Sequence, residues 1–278
     1  MLGKERHFRT FSPVIHPTAI IHPQARVAAN VEIGPYVVID AQVELGPDCR
    51  VGPHVYLTGR TTIGAGNRFF AGCVIGEAPQ DLKYSGAPTG LRIGERNVFR
   101  EHVTVHRSAK SGEDTVIGSG NFLMAGAHVA HNCQIHDSVI IANGALLGGH
   151  VTVFDRAFIS GNCLVHQFTR VGSLALMQGG AGVSKDVPPF TIARQVNTLA
   201  GLNTVGLRRA GLAASERLEL KQIYHRLFRS PLGGFKAAVA AAEKEFASPS
   251  ARRLFAFLAE AKRGVCLDAK TSAGEDQD

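Results

Sequence analysis

The sequence has none of the usual signals of a membrane-spanning or secreted protein. It contains no run of eighteen apolar residues, so it predicts no membrane span. Residues 1–12 are polar and basic and include no apolar stretch, which argues against a secretory signal. The five cysteines show no Cys-x-x-Cys spacing, and an odd number does not suit a secreted disulfide framework. These absences favour a protein of the reducing cytoplasm.

Positive charge is in excess, but the basic residues do not form a continuous stripe. The net charge is +7. The length of 278 residues is enough for one elongated domain or a large domain with a small appendage, and a hydrophobic content of 45% is enough to form a core. A basic balance suits nucleic acid, anionic lipid, nucleotide phosphates or an acidic partner protein. Because no nucleic-acid-binding module and no Lys/Arg stripe with interleaved aromatics is found, no nucleic acid partner is expected.

A six-residue repeat dominates the chain. Of the residues at every sixth position from Ile15 to Val183, all but Asp81, Ala87 and Ser111 are large and apolar. A smaller residue often stands two positions earlier, and glycine often stands one position later, as a tight corner requires. A period of six fits neither an α-helix nor simple strand alternation, but it fits a short strand plus a corner. The pattern predicts a parallel β-helix whose coils of three hexads place residue i beside residue i+18.

Two consequences follow from this register. Four cysteines fall in the small inward column, so Cys49, Cys73, Cys133 and Cys163 are predicted to be core residues without redox or metal chemistry. The register is interrupted twice, and the hexads give way to helical spacing over 215–229, 232–246 and 250–263. The predicted organisation is an N-terminal extension at 1–14, a β-helix at 15–190 with loops at 77–91 and 107–116, a helical domain at 191–267 and a disordered tail at 268–278.

Chemistry concentrates on the second half of the β-helix. Seven of the twelve histidines lie between His102 and His166. The stacking rule places His131, Gly149 and Gln167 in one outward row on adjacent coils. A histidine base with a free backbone N–H one coil away is a plausible acyl-transfer site, since the N–H can stabilise an oxyanion.

Short segments in this region resemble the UDP-N-acetylglucosamine O-acyltransferases of lipid A biosynthesis. They are QDLKY at 80–84, VTVHR at 103–107, AHVAH at 127–131, GHVTV at 149–153, VHQF at 165–168 and DVPP at 186–189. The resemblance implies a left-handed coil, a homotrimer with active sites between neighbouring subunits, and no cofactor or metal. It also implies transfer of a 3-hydroxyacyl chain from acyl carrier protein to the 3-position of the UDP-sugar. Whether that position carries a hydroxyl or an amino group is left open.

The resemblance also implies residue roles. His131 is the general base, and the Gly149 N–H is the oxyanion donor. Gly179 matches the position near which the family stops the acyl chain. The expected substrate-binding residues are Gln80, Asp81, Lys83, His106, His128, His150, His166, Gln167, Asn203 and Arg209.

The chain departs from the family pattern at two positions. Asn132 follows the base where members of the family often carry Asp, so this position supplies no carboxylate. Ala210 stands where a second Arg is common, which leaves phosphate contact to Arg209.

Other functions fit part of the sequence. His131 and His136 have the HxxxxH spacing of β-helix carbonic anhydrases, which bind zinc through three histidines. A scaffold without catalysis would use the repeat alone. Within acyltransferases, an acetyl-CoA-dependent sugar acetyltransferase is the nearest alternative.

Overall fold

The structure is a computed structural model that describes residues 15–229 and 231–268. The predicted N-terminal extension lies outside these ranges, and so does the predicted tail apart from its first residue. Asp268 belongs to the strand Leu267–Asp268, and its carboxylate accepts a hydrogen bond of 2.8 Å from the Tyr224 hydroxyl. The structure therefore extends past the predicted start of the tail, because this carboxylate completes a buried contact.

The hexads wind into a parallel β-helix with three faces, as the repeat predicts. Most strands are two residues long, since the rest of each hexad forms a corner. The first sheet consists of Ile20–Ile21, Val38–Ile39, Tyr56–Leu57, Val74–Glu77, Thr104–His106, His128–Val129, Leu146–Leu147, Leu164–Val165 and Gly182–Val183. The second consists of Arg26–Val27, Val43–Leu45, Arg60–Ile63, Gly90–Ile93, Asp114–Ile117, Gln134–Ile135, Thr152–Val153 and Arg170–Val171. The third consists of Glu32–Ile33, Arg50–Val51, Arg68–Phe69, Val98–Phe99, Phe122–Leu123, Ile140–Ile141, Phe158–Ile159, Leu176–Met177, Thr191–Arg194, Thr198–Leu202 and Leu267–Asp268.

Strand pairing follows the predicted offset of one coil. His128 pairs with Leu146, which is 18 residues ahead, and Leu146 pairs with Leu164. The offset grows only at the two interruptions: Val74 pairs with Thr104, 30 residues ahead, and Thr104 pairs with His128, 24 residues ahead. The interruptions thus add twelve and six residues. Because both are multiples of the hexad, the inward and outward positions are unchanged beyond them.

Both loops are shorter than predicted. The first spans 78–89 and the second 107–113, against predicted ranges of 77–91 and 107–116. The difference arises because Gly90–Ile93 pairs along its whole length with Arg60–Ile63 on one side and with Asp114–Ile117 on the other. The end residues of the predicted loops therefore belong to paired strands of the β-helix.

The two predicted inward columns form the core. Large residues such as Ile141 and Leu147 are at most 1% exposed, and so is the small residue Ala145. All four cysteines of the small column are buried and free, which confirms their prediction as core residues. Each fully buried large aliphatic side chain contributes about 1.5–3 kcal/mol, so the repeat itself stabilises the solenoid.

Glycine often follows the large inward residue of a hexad, but for a different reason from the tight corner that was predicted. Glycines after the large residues, such as Gly46 and Gly172, do not adopt positive φ. A Cβ on Gly46 would lie 2.7 Å from the Gly64 carbonyl carbon, and one on Gly172 would lie 2.3 Å from the Pro189 nitrogen. Close approach of successive coils, rather than a left-handed turn, requires glycine there. Positive φ occurs two residues later, for example at Asn132, His150 and Phe168.

The region after the hexads begins with strands instead of helices. Thr191–Arg194 pairs with Leu176–Met177 in parallel and with Thr198–Leu202 in antiparallel fashion. The predicted helical domain at 191–267 therefore starts with a hairpin that extends the third sheet. The helices are α1 (Thr204–Arg209), α2 (Ala214–Tyr224), a π-helical turn (His225–Arg229), α3 (Phe235–Glu243) and α4 (Pro249–Ala259). Within the described ranges, no helix is long and apolar enough to cross a membrane.

Candidate active site

The loops and the predicted row of outward residues meet at one edge of the β-helix. Loops 78–89 and 107–113 both connect a strand of the first sheet to the next strand of the second sheet. His131, Gly149 and Gln167 follow first-sheet strands at the same corner on three successive coils. Because each corner stacks on the one before it, both loops lie beside the row of His131, Gly149 and Gln167.

A cleft of about 420 Å³ opens at this corner. It brings together most of the residues predicted to bind or act on substrate. Those that line it are Gln80, His106, His128, His131, Gly149, His166 and Gln167.

His131 is held through one ring nitrogen. Its Nδ1 lies 2.9 Å from Oδ1 of Asn132, and Asn132 Oδ1 also accepts a hydrogen bond of 2.9 Å from the Ala109 N–H. The Asn132 amide nitrogen donates to Ser108 Oγ at 2.7 Å and to Glu113 Oε2 at 3.0 Å. The loop 107–113 therefore holds the residue that orients His131, and no described residue forms a hydrogen bond with Nε2 of that ring.

Gly149 lies directly against the His131 imidazole. A Cβ at Gly149 would be 2.7 Å from both Cε1 and Nε2 of that ring, so any side chain would displace it. The Gly149 carbonyl accepts from the Phe168 N–H at 3.0 Å, whereas no described residue accepts from the Gly149 N–H. A free N–H beside a histidine Nε2 is the arrangement that the stacking rule predicted.

His106 and His128 form the opposite part of the cleft and are kept neutral. Their rings meet edge to face at 4.8 Å, and Thr104 Oγ1 lies 2.7 Å from His128 Nδ1. Burial lowers the pKa of His106, and burial together with the neighbouring His106 and His131 lowers the pKa of His128 to about 4. The Nδ1 of His106 is buried and has no hydrogen-bond partner among the described residues.

His150 connects the cleft to the first loop. Its ring lies edge to face with His131 at 5.3 Å and stacks on Phe168 at 4.5 Å. Burial lowers the pKa of His150, with His131 acting in the same direction, while the carboxylates of Glu113 and, to a smaller extent, Asp81 act in the opposite one. Asp81 is itself held in a turn in which its Oδ1 accepts from the Lys83 N–H at 2.9 Å.

The remaining predicted residues lie apart from the cleft in this chain. Lys83 is exposed on the loop. Asn203 is buried, and its amide caps α1 through the Gly206 N–H and donates to the Leu174 carbonyl. Arg209 is exposed at the end of α1, and Gly179 lies at a corner that follows the third sheet. For Asn203 the structure shows a helix-capping role that the motif did not indicate.

An apolar groove beside the cleft was not identified from the sequence. It has a volume of about 360 Å³ and shares Gly148 and His166 with the cleft. Leu146, Leu164 and Val196 line it and are 44%, 54% and 71% exposed. The 18-residue offset could have identified this groove, because it places four residues in one outward column: His128, Leu146, Leu164 and Gly182.

The geometry does not favour the zinc alternative. His131 and His136 lie at opposite ends of the strand Gln134–Ile135, and His136 is an exposed residue stacked on Phe154 at 4.9 Å. The described part of the chain contains no group of three or more His, Cys, Asp or Glu residues arranged to hold a metal.

Comparison with known families gives two matches along the chain. A model described as UDP-N-acetylglucosamine O-acyltransferase, domain 2, matches residues 186–266. A model of bacterial transferase hexapeptide repeats matches residues 114–149. The first match covers the hairpin and helices, and the second covers the coils that carry His131 and Gly149.

Individual proteins are similar over most of their length. An acyl-[acyl-carrier-protein]–UDP-N-acetylglucosamine O-acyltransferase of Gloeothece citriformis is 50% identical over 80% of each chain. One from an Anaeromyxobacter strain is 47% identical over 90% of this chain and 98% of its own. The crystal structure of the Francisella novicida UDP-N-acetylglucosamine acyltransferase superimposes with a TM-score of 0.88, at 33% identity over 94% of this chain and 96% of its own. The predicted fold class, a left-handed parallel β-helix with a small C-terminal helical part, is confirmed.

The neutral state of His128 predicts a pH dependence of stability. Its folded pKa of about 4 lies below the ordinary value of 6.5, so the unfolded chain binds more protons between these values. The free energy of unfolding should therefore fall as the pH is lowered through that window. In a His128→Asn variant, which keeps a polar atom facing Thr104, the slope should be smaller by up to about one proton. Denaturant unfolding at a series of pH values measures this, and equal slopes would contradict it.

Proposed function

This chain belongs to the family of acyl-[acyl-carrier-protein]–UDP-N-acetylglucosamine O-acyltransferases, and from that premise we propose that His131 is its general base and the Gly149 N–H its oxyanion donor. It is an acyltransferase that uses acyl carrier protein as donor and UDP-N-acetylglucosamine as acceptor in lipid A biosynthesis. The transferred group is a 3-hydroxyacyl chain, and the acceptor atom is the oxygen, or in an analogue the nitrogen, at position 3. The observation that carries the proposal is the pair formed by the free His131 Nε2 and the free Gly149 N–H.

The reaction follows from this pair. His131 Nε2 takes the proton of the sugar hydroxyl as its oxygen attacks the thioester carbonyl carbon. The carbonyl oxygen becomes negative and accepts a hydrogen bond from the Gly149 N–H. When the tetrahedral intermediate collapses, the carbon–sulfur bond breaks, and the departing thiolate of the carrier accepts from His131 the proton that came from the sugar hydroxyl. Neutral His106, His128 and His150 offer hydrogen bonds without opposing the transient imidazolium charge.

The other predicted residues are proposed to hold the acceptor. Gln80, His166 and Gln167 line the rim of the cleft, where they are exposed, and the largely buried His106 lines its inner part. Asp81 and Lys83 lie on the loop that borders it. We assign Asn203 and Arg209, at the two ends of α1, to the nucleotide, which requires that α1 meet the cleft of a neighbouring subunit.

Two apolar faces support a homotrimer. Residues that point outward from the second sheet are mainly polar or charged, for example Arg26, Glu44 and Arg92. Those of the third sheet are charged on its first three strands, but from the fourth strand onward they form an apolar column. Its members are Val98, Phe122, Ile140, Phe158, Leu176 and Ile192. The first sheet presents Leu146 and Leu164. Different apolar faces on one chain favour a head-to-tail ring, and the family resemblance gives three members.

The loss of activity on removing the base is the primary test. His131→Ala should lower turnover by roughly a hundredfold to ten-thousandfold, the usual effect of a positioned base. Turnover is measured with acylated carrier protein and UDP-N-acetylglucosamine, and circular dichroism and sedimentation verify that the variant is folded. Turnover near that of the wild type would show that another group takes the proton.

The ring of subunits predicts a selective effect of charge. Phe158→Asp places a carboxylate in the apolar column of the third sheet, where burial without a partner is costly, so the trimer should dissociate. Thr62→Asp, on the exposed face of the second sheet, is the matched control and should remain trimeric. Sedimentation equilibrium distinguishes the two. A monomeric wild type, or a trimeric Phe158→Asp variant, would contradict the arrangement.

Acyl-chain length is proposed to depend on Gly179. Its φ is not positive, and the nearest atom to an added Cβ is the Gly161 carbonyl oxygen at 3.6 Å, so a side chain fits without backbone strain. We place Gly179 along a groove that begins at His131 of a neighbouring subunit, because the two residues follow different sheets of the prism.

Filling that groove should shift the preferred donor. With glycine present we expect chains of about twelve to fourteen carbons to be preferred over about ten, since each buried methylene contributes about 0.8 kcal/mol. Gly179→Met should reverse this preference, measured by competition between carrier proteins loaded with different chains. Ala125→Met, at the same hexad position three coils earlier and also without positive φ, serves as control. An unchanged ratio of long to short products in Gly179→Met would rule out a groove at this residue.

A further inference from the structure

The residue that orients the base is an amide, and both polar atoms of its side chain are fully used. Asn132 is 6% exposed, and its backbone N–H donates to Thr115 Oγ1 at 2.8 Å. Its side-chain oxygen faces the Ala109 N–H and His131 Nδ1, and its side-chain nitrogen faces Ser108 and Glu113. Four contacts match the two acceptor and two donor sites of the amide.

Two of these contacts fix which way the amide points. A backbone N–H only donates, so the atom that faces Ala109 is the amide oxygen. The hydrogen bond from Lys110 lowers the pKa of Glu113, whose ionised carboxylate only accepts, so the atom that faces it is the NH₂ group. An oxygen therefore faces His131, and Nδ1 of the ring must carry the proton. Nε2 is then the basic nitrogen, on the side where Gly149 lies.

We propose that Glu113 is a positioning residue of this active site, which acts through Asn132 to fix the tautomer of His131 and to supply, one hydrogen bond removed, the negative charge that stabilises its protonated form. The proposal rests on the proposed role of His131 as general base. It assigns a catalytic reason to the second interruption of the repeat, because loop 107–113 brings Ser108, Ala109 and Glu113 to the amide.

The alternative is that Glu113 only closes its own loop. It forms an ion pair with Lys110, three residues earlier, and its side chain is 44% exposed. An exposed ion pair of this kind contributes little to stability. A purely structural Glu113 would affect stability or substrate affinity, whereas a positioning Glu113 affects turnover and its pH dependence. These readouts separate the two roles.

The first variant removes the charge and keeps the shape. Glu113→Gln retains an oxygen that can accept from Asn132, so the fold and the KM for the UDP-sugar should stay within about twofold of wild type, while kcat should fall by about five- to twentyfold, as expected for one charge several ångströms away in a partly solvated site. The acidic limb of the pH profile of kcat/KM should move to lower pH. Glu95→Gln is the matched control, since Glu95 is also exposed and paired with a neighbouring cation, Arg96, at another corner.

The second variant moves the charge from residue 113 to residue 132. In Asn132→Asp/Glu113→Gln, a carboxylate contacts His131 directly and the glutamine amide donates to it, so the number of charges and hydrogen bonds is retained. This double variant should recover most of the turnover lost in Glu113→Gln. A residue needed only for loop closure gives no reason for such recovery.

Three results would overturn the proposal: turnover and pH profile of Glu113→Gln equal to those of the Glu95→Gln control, a change in KM alone, or a double variant no more active than Glu113→Gln. The His131→Ala variant is measured in parallel. If His131→Ala stays active, the assignment of the base fails. If it is inactive while Glu113→Gln behaves as the control, only the role of Glu113 fails.

Discussion

The structure depends on one constraint, the parallel pairing of each residue with the one a coil further along. This pairing fixes which side chains point inward, so the core is two columns of large and small residues such as Leu147 and Ala145. It also fixes which glycines are required, since successive coils approach too closely for a Cβ at Gly46. The same stacking aligns the outward residues. An active site can therefore be built from residues far apart in sequence on a backbone with almost no freedom to move them.

The two loops add chemistry without disturbing that pairing. They leave the β-helix at the same corner, and each adds a multiple of six residues to the offset. As a result, the strands beyond them keep their faces, and the loops lie next to His131. The first brings Gln80 and Asp81 to the cleft, and the second holds Asn132. His131 and Gly149 both follow the two loops, so their offset of one coil does not depend on either insertion.

Sequence alone predicted the features that follow from periodicity. The hexads gave the three-sided β-helix, the buried cysteines and the row of His131 and Gly149, because all of these depend only on counting along the chain. The partners of Asn132 were beyond such counting, since Ser108 and Glu113 reach it from a loop whose path no repeat specifies. Asn203 shows the same limit, because its motif did not indicate that its amide caps α1. The hairpin at Thr191–Arg194 was missed because its strands carry no hexad.

Catalysis by His131 requires that the ring be held as the tautomer with its proton on Nδ1, so that Nε2 can act as the base beside Gly149. Nitrogen NMR of histidine-labelled protein at mildly alkaline pH reports this directly, with the His131→Ala variant used to assign the signals. The account predicts a protonated Nδ1 and an unprotonated Nε2 for His131. A proton found on Nε2 would contradict it, because that nitrogen could not accept the proton of the sugar hydroxyl.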